Sequence, residues 1–410
     1  MRGSSPPGAS PAPHSGGMRQ TSTAGDDTPQ TPQTSRPDTV IRAGSPTALL
    51  AVVPHLLGFV PEMSLVVIGT SPPRERIRVT LRYDLPDPPD ADLAADIAAH
   101  AASVLGAQEL PAALAVGYGP EAMVTPVAGA FLDASHLAGI ELHDVLRVEN
   151  GRYWSYRCDN EACCPAAGVP FDGSAHPASA ALDGAGLRVL PGRAAVAARI
   201  APLGGDTAES MRQATRRAEQ HVARLLARVR RSSRIGAARR MIAAEGLAAV
   251  GAMILRYRND GRFTSDYEIA RISVALRDLR VRDDAWARMD PEHAAAYLRL
   301  WTDVVRRAQP GYVAPAAALL AFVAWQSGDG ALANVALDRA LTDDPGYSMA
   351  LLLRQVIGAG APPSLARLPM TPEEVAASYD GLGDEASQAD DDDDHEPDED
   401  VQDPDFDDEP

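Results

Sequence analysis

Cys158, Cys163 and Cys164 are the only cysteines of a 410-residue chain, and all three fall within seven positions. Scattered cysteines would read as small core residues, but clustered ones point to a soft metal, thiol–disulfide chemistry or a tight loop. Zinc wants four ligands, and adjacent thiolates seldom serve one ion together. His176 is the expected completing ligand, with Asp172 and Asp159 as the other candidates. Strong zinc sequences carry two paired knuckles, whereas only one half is present here. The competing reading is a compact loop with buried thiols in which Pro165 fixes the chain.

A second constellation is Gly117–Tyr118–Gly119–Pro120–Glu121–Ala122, which follows an apolar run and opens a helical pattern. Gly-x-Gly-x-x-Ala at such a turn can aim backbone N–H groups and the helix dipole at a phosphate, so Gly117 and Gly119 are candidate cofactor-binding residues. Pro120 removes a donor, however, and Glu121 puts negative charge where an anion would sit. Two glycines making a tight strand-to-helix turn explain the pattern as well. His55 stands on an apolar segment as a ligand, a base or a hydrogen-bonded core residue. No nucleophile elbow, His/Glu zinc-protease helix or Ser/His/Asp spacing occurs, and the catalytic residues stay unassigned.

The chain has no lysine, so its 38 cationic side chains are all arginine. Schiff-base enzymes, P-loop NTPases and kinase-type ATP sites each need a lysine and are disfavoured. Abundant Ala and Gly suggest a GC-rich, bacterial genome. Of the formal charge of −18, the sixteen acids between Asp384 and Glu409 account for all but −2. Arg212–Arg240 holds ten arginines against one acid, Glu219, a stripe that could track nucleic-acid phosphates. It lacks interleaved aromatics, so a solvated helix face is favoured, with the acidic tail as its internal partner. No apolar run is long enough to span a membrane, and the Ser/Pro/Thr-rich start does not read as a secretion signal. A cytoplasmic protein is expected, where disulfides are disfavoured.

Four segments follow from composition. Residues 1–40 and 366–410 lack the apolar side chains to offset ordering entropy and are expected to be disordered, the latter as an acidic tail. Residues 41–205 alternate strands and helices. Helix is expected over Thr47–Leu57, with Pro46 at its first position, and over Asp92–Leu105 and Glu121–Leu132. Buried strands are expected at Leu65–Gly69 and Ala113–Val116, and a strand with one wet face at Ile77–Leu85. Val145–Glu149 and Arg152–Tyr156 flank Asn150–Gly151, a strong hairpin signal because both turn positions need positive φ.

Residues 206–365 carry helical spacing only, over Asp206–Arg231, Ile235–Tyr257, Ser265–Leu279, Pro291–Ala308, Pro315–Gln326, Ala331–Leu341 and Tyr347–Ile357. Short loops predict antiparallel neighbours. The fold class is thus an α/β domain with a mixed sheet and β-hairpin, followed by an all-α helical-hairpin domain. Within the latter, one stretch of about 34 residues resembles a tetratricopeptide-like helix pair, with Gly328–Asp329 at its turn and Pro345 at its close, and it must pack on neighbouring pairs.

Several segments together resemble the actinobacterial domain-of-unknown-function family numbered 4192. They are Pro54–His55–Leu56–Leu57–Gly58–Phe59 with Pro61, Ser64–Val67, Gly151–Tyr156 with Cys163–Cys164–Pro165 and Gly168, Arg280–Asp283, and Gly328–Asp329 to Pro345. The resemblance implies a bacterial, cytoplasmic protein and brings no activity or catalytic residue with it. Helical pairs usually bind partners, so the expected function is protein interaction or regulation. The alternative is a small-molecule- or nucleotide-binding enzyme that uses the α/β domain, with zinc at the cysteines. A cleft lined by Gly119, His55 and Cys158 would favour the alternative, and an apolar groove on the helical domain the first.

Overall fold

In a computed structural model, residues 44–73, 75–230, 235–365 and 370–379 are described. Helix α1 (Pro46–Leu57) begins where Ser45 Oγ accepts the Ala48 N–H at 3.2 Å, with Pro46 in the first turn, where its missing N–H costs nothing. It ends at Gly58, whose φ of 77° closes the helix in the left-handed region.

Six strands then build one mixed sheet: β1 (Ser64–Ser71), β2 (Arg76–Asp84), β3 (Ala112–Tyr118), β4 (Glu141–Glu149), β5 (Arg152–Ser155) and β6 (Val169–Pro170). Their order is β2-β1-β3-β4-β5-β6. The pair β3–β4 is parallel and joined through α3 (Glu121–Leu137), while the other neighbours are antiparallel. On one face Leu65 and Val67 of β1 pack with α2 (Ala91–Ala107) and α3. On the other, Val66 and Ile68 pack with α1. Burial on both faces is why β1 reads as an unbroken apolar run. Strand β2 is the sheet edge and, rather than having one wet face, is half-buried from Val79 to Tyr83. Asn150 (φ 49°) and Gly151 (φ 70°) make the two-residue hairpin turn.

Two short helices, α4 (Pro177–Gly184) and α5 (Arg193–Ala198), lead into a helical half of α6 (Gly205–Arg230), α7 (Ile235–Arg258), α8 (Asp266–Ala275), α9 (Leu279–Ala287), α10 (Ala294–Arg307), α11 (Val313–Gln326), α12 (Gly330–Asp343) and α13 (Ser348–Gly358). Every residue of α11 from Val313 to Trp325 is buried, so this run is a core helix. Among the described residues no helix is long and apolar enough to cross a membrane. Arg199 pairs with Asp329 at 3.3 Å and Arg193 with Asp338, both across to α12 or its cap.

The helix expected over Ser265–Leu279 is in fact two. Asp278 Oδ1 accepts the Arg280 N–H at 2.9 Å, and this cap starts α9 afresh. The expected helix from Pro291 begins as a 3-10 turn, Pro291–His293, before α10. Helices α4 and α5 and strand β6 had no periodic signal, because each is too short to show one. The acidic run Asp384–Glu409 and residues 1–40 lie outside the described residues. Within the segment assigned to the tail, residues 372–379 form a further helix, whose Tyr379 hydroxyl donates to Asp283 at 2.7 Å.

Candidate functional site

The parallel strands β3 and β4 end side by side at Tyr118 and Val148–Glu149, and the Asn150–Gly151 turn lies beyond them. Against these ends stand α1, the Val60–Met63 segment, Phe171–Ser174 and α4. Together they enclose a cleft of about 1180 Å³. Carboxyl ends of parallel strands are where α/β sheets usually offer a crevice, because the chain leaves them in different directions.

His55 projects from α1 into the wall of this cleft. Its side chain is only 3 % exposed. Nδ1 donates to the Ala51 carbonyl at 3.2 Å, and Nε2 lies 3.3 Å from Asp183 Oδ1 on α4. A carbonyl can only accept, so Nδ1 is the donor of the first contact. Both ring nitrogens are therefore engaged within the fold.

Tyr118, the last residue of β3, shares the α1 face with Val116 and lines the cleft. Its hydroxyl is buried and has no hydrogen-bond partner among the described residues. Burial alone pushes this phenol well above its ordinary range, so it remains an O–H donor. A buried unpaired hydroxyl costs about 1–3 kcal/mol, which marks Tyr118 as a position the fold alone does not explain.

Four carboxylate residues, Glu62, Glu149, Asp172 and Asp183, line the cleft, and among the described residues no arginine does. Glu149 is held at 2.6 Å by Arg147, and Asp172 accepts from the Ser174 hydroxyl at 2.7 Å and from its backbone N–H.

Gly119 lies at the cleft and Gly117 behind it. A Cβ on Gly117 would stand 2.1 Å from Val124 Cγ1, so its absence lets α3 pack directly on β3. Gly119 has φ +148°, and its N–H donates to the Val148 carbonyl at 3.0 Å. Helix packing and the strand-to-helix turn account for both glycines.

The cysteines sit apart from the cleft, in the loop between β5 and β6. The sulfurs of Cys158, Cys163 and Cys164 all lie within 4.8 Å of one another, and Cys158 and Cys163 are 3.1 Å apart. His176 does not join them: it caps α4, its Nδ1 accepting the Ala178 N–H at 3.2 Å. Asp159 and Asp172 are also outside the group. Hydrogen bonds from the neighbouring thiols, that of Cys163 first, favour the Cys158 thiolate, whereas Cys164, bonded to Cys158, is pushed up to about 12. A second cluster of donors, Asp290, Glu292 and His293, is the start of α10: Asp290 accepts from the His293 backbone and ring, at 2.9 and 2.7 Å.

The residues before the cysteines tie β5 to the loop, to β4 and to α3. Arg152 Nη1 donates to the Ala167 and Gly168 carbonyls, and Trp154 Nε1 to Ala166 at 3.0 Å. The Trp154 ring is stacked under the Arg147 guanidinium at 3.8 Å. Ser155 donates to Asp144 at 2.7 Å, and the Tyr156 hydroxyl meets Thr125 of α3 at 2.7 Å. On α6, Arg212 and Arg216 are exposed, and Arg217 lies over the Tyr267 ring at 4.8 Å.

Tyr118, Glu149 and Asp183 were not singled out from the sequence. Tyr118 closes an apolar strand like any β-favouring aromatic, and periodicity cannot show that its hydroxyl lacks a partner. Residues 46–364 match the family model described as Domain of unknown function (DUF4192), and the chain belongs to that family. No curated protein and no solved structure matches the chain.

Proposed function

We propose that this member of the DUF4192 family binds a small, neutral or cationic polar molecule in the cleft at the ends of β3 and β4. The observation that carries the reading is the buried, unpartnered hydroxyl of Tyr118, a residue that lines this roomy cleft. A ligand oxygen or nitrogen accepting from Tyr118 would supply the missing bond. The four lining carboxylates argue against a phosphate and for hydroxyl or amine groups, which carboxylates can accept from. Nucleotide binding through Gly117 and Gly119 is correspondingly disfavoured. Binding rather than catalysis is the better reading, because both nitrogens of His55 are already committed to Ala51 and Asp183.

One observation favours protein interaction as a second reading. Leu352 of α13 is 62 % exposed, with Leu351 and Val356 also open to solvent on the same helix. Such a patch suits a partner surface.

A thermal-shift screen of the full chain against polyols and sugars, organic amines, and nucleotides tests the first reading. Stabilisation by a sugar or amine that Tyr118→Phe removes is the expected outcome. A response to nucleotides alone would overturn the ligand class, and no response in any set would leave the α13 surface as the better account.

A further inference from the structure

We propose that Cys158, Cys163 and Cys164 hold one zinc ion through three thiolates, with the fourth coordination position open to water or an outside ligand. The site is independent of the cleft and of its ligand. Three soft donors already converge, their sulfurs all within 4.8 Å of one another. Zinc–sulfur bonds of about 2.3 Å in a tetrahedron set the sulfurs about 3.8 Å apart. The 3.1 Å between Cys158 and Cys163 and the 4.8 Å limit on all three separations bracket that spacing.

The backbone is shaped for this convergence. The Asn160 carbonyl accepts both the Cys163 N–H at 3.1 Å and the Cys164 N–H at 2.8 Å, and Asn160 Oδ1 takes the Ala162 N–H at 3.0 Å. That turn brings the adjacent pair back toward Cys158. Beyond it, Trp154 and Arg152 tie the exit of the loop to β5, so the thiols are carried on an anchored segment. Cys163 is exposed and the other two are half-buried, which leaves one side of the group facing solvent. An open position distinguishes this site from a closed structural one. Binding is a plain exchange: each thiol that becomes a ligand releases its proton to solvent, and nothing is oxidised.

A disulfide between Cys158 and Cys163 is the competing use of the same atoms. It would need an oxidant and would leave Cys164 alone, whereas metal binding uses all three thiols.

The test uses the full chain, reduced, loaded with zinc and then desalted. About one retained zinc per chain is expected, with all three thiols protected from a thiol reagent. Cobalt in place of zinc should give an intense thiolate charge-transfer absorption. Cys158→Ser, Cys163→Ser and Cys164→Ser should each weaken zinc binding at least about tenfold, while His176→Ala keeps it. Three reactive thiols after zinc loading would overturn the proposal. So would a Cys158–Cys163 disulfide in the reduced preparation, or loss of zinc in His176→Ala. Because thiol protection and the cobalt spectrum are read on the unaltered chain, the result does not depend on how the variants fold.

Discussion

Gly168 lies flat against the Trp154 indole: a Cβ there would stand 2.5 Å from Trp154 Cε2, and its φ of 75° lies in the left-handed region. The two residues lock the exit of the cysteine loop onto β5. Gly168→Ala must therefore strain the backbone and displace the indole, which is held by Arg147 above and the Ala166 carbonyl at its edge. A loss of about 2–3 kcal/mol is expected in equilibrium denaturation. An unchanged midpoint would show that the loop moves freely on β5.

The start of α11 rests on a residue from the end of α12. Asp343 accepts the N–H groups of Gly311, Val313 and Ala314 at 2.7, 2.9 and 3.0 Å. These are among the orphan donors that every helix start must satisfy. Asp343→Ala should cost about 1–2 kcal/mol and Asp343→Asn clearly less, both read by denaturant melts. Equal stability for all three chains would contradict this capping role.

Asp290 gives the α10 start a pH dependence. Burial works against its charge, but hydrogen bonds from the His293 ring and backbone and from Tyr297 outweigh it, so its pKa lies below the ordinary 3.8. A depressed folded value means that the stabilisation is present above the unfolded pKa and is lost as pH falls through the folded one. Asp290→Asn should melt below the unaltered chain at pH 7, with the gap closing below about pH 4. A gap independent of pH would show that the carboxylate charge contributes nothing.

Much of this architecture was legible in the chain. The Pro46 start of α1, the doubly buried β1 and the Asn150–Gly151 turn each follow from a local rule that tertiary contacts then reinforced. The α8–α9 break was missed because apolar spacing runs on past Asp278, while the break comes from a side-chain hydrogen bond that spacing does not show. At the sites, the convergence of the three cysteines is visible from their clustering, whereas ligand type and count alone point to His176, which the fold keeps out of the group. It instead caps α4, a role that only its backbone neighbours reveal. The cleft was half visible: Gly119 and His55 line it and Cys158 does not. Asp183, 128 positions from His55, could be paired with it only by the fold.

Denaturation of the Tyr118→Phe chain without ligand tests the central claim most directly. If the hydroxyl is held for a ligand, the fold gains nothing from it, and Tyr118→Phe should be as stable as the unaltered chain or more stable, by up to about 1–3 kcal/mol. The same change should remove the stabilisation given by any cleft ligand. A Tyr118→Phe chain less stable by about 1 kcal/mol or more would mean that the hydroxyl is bonded within the fold, and the cleft would lose the residue that marks it as a binding site.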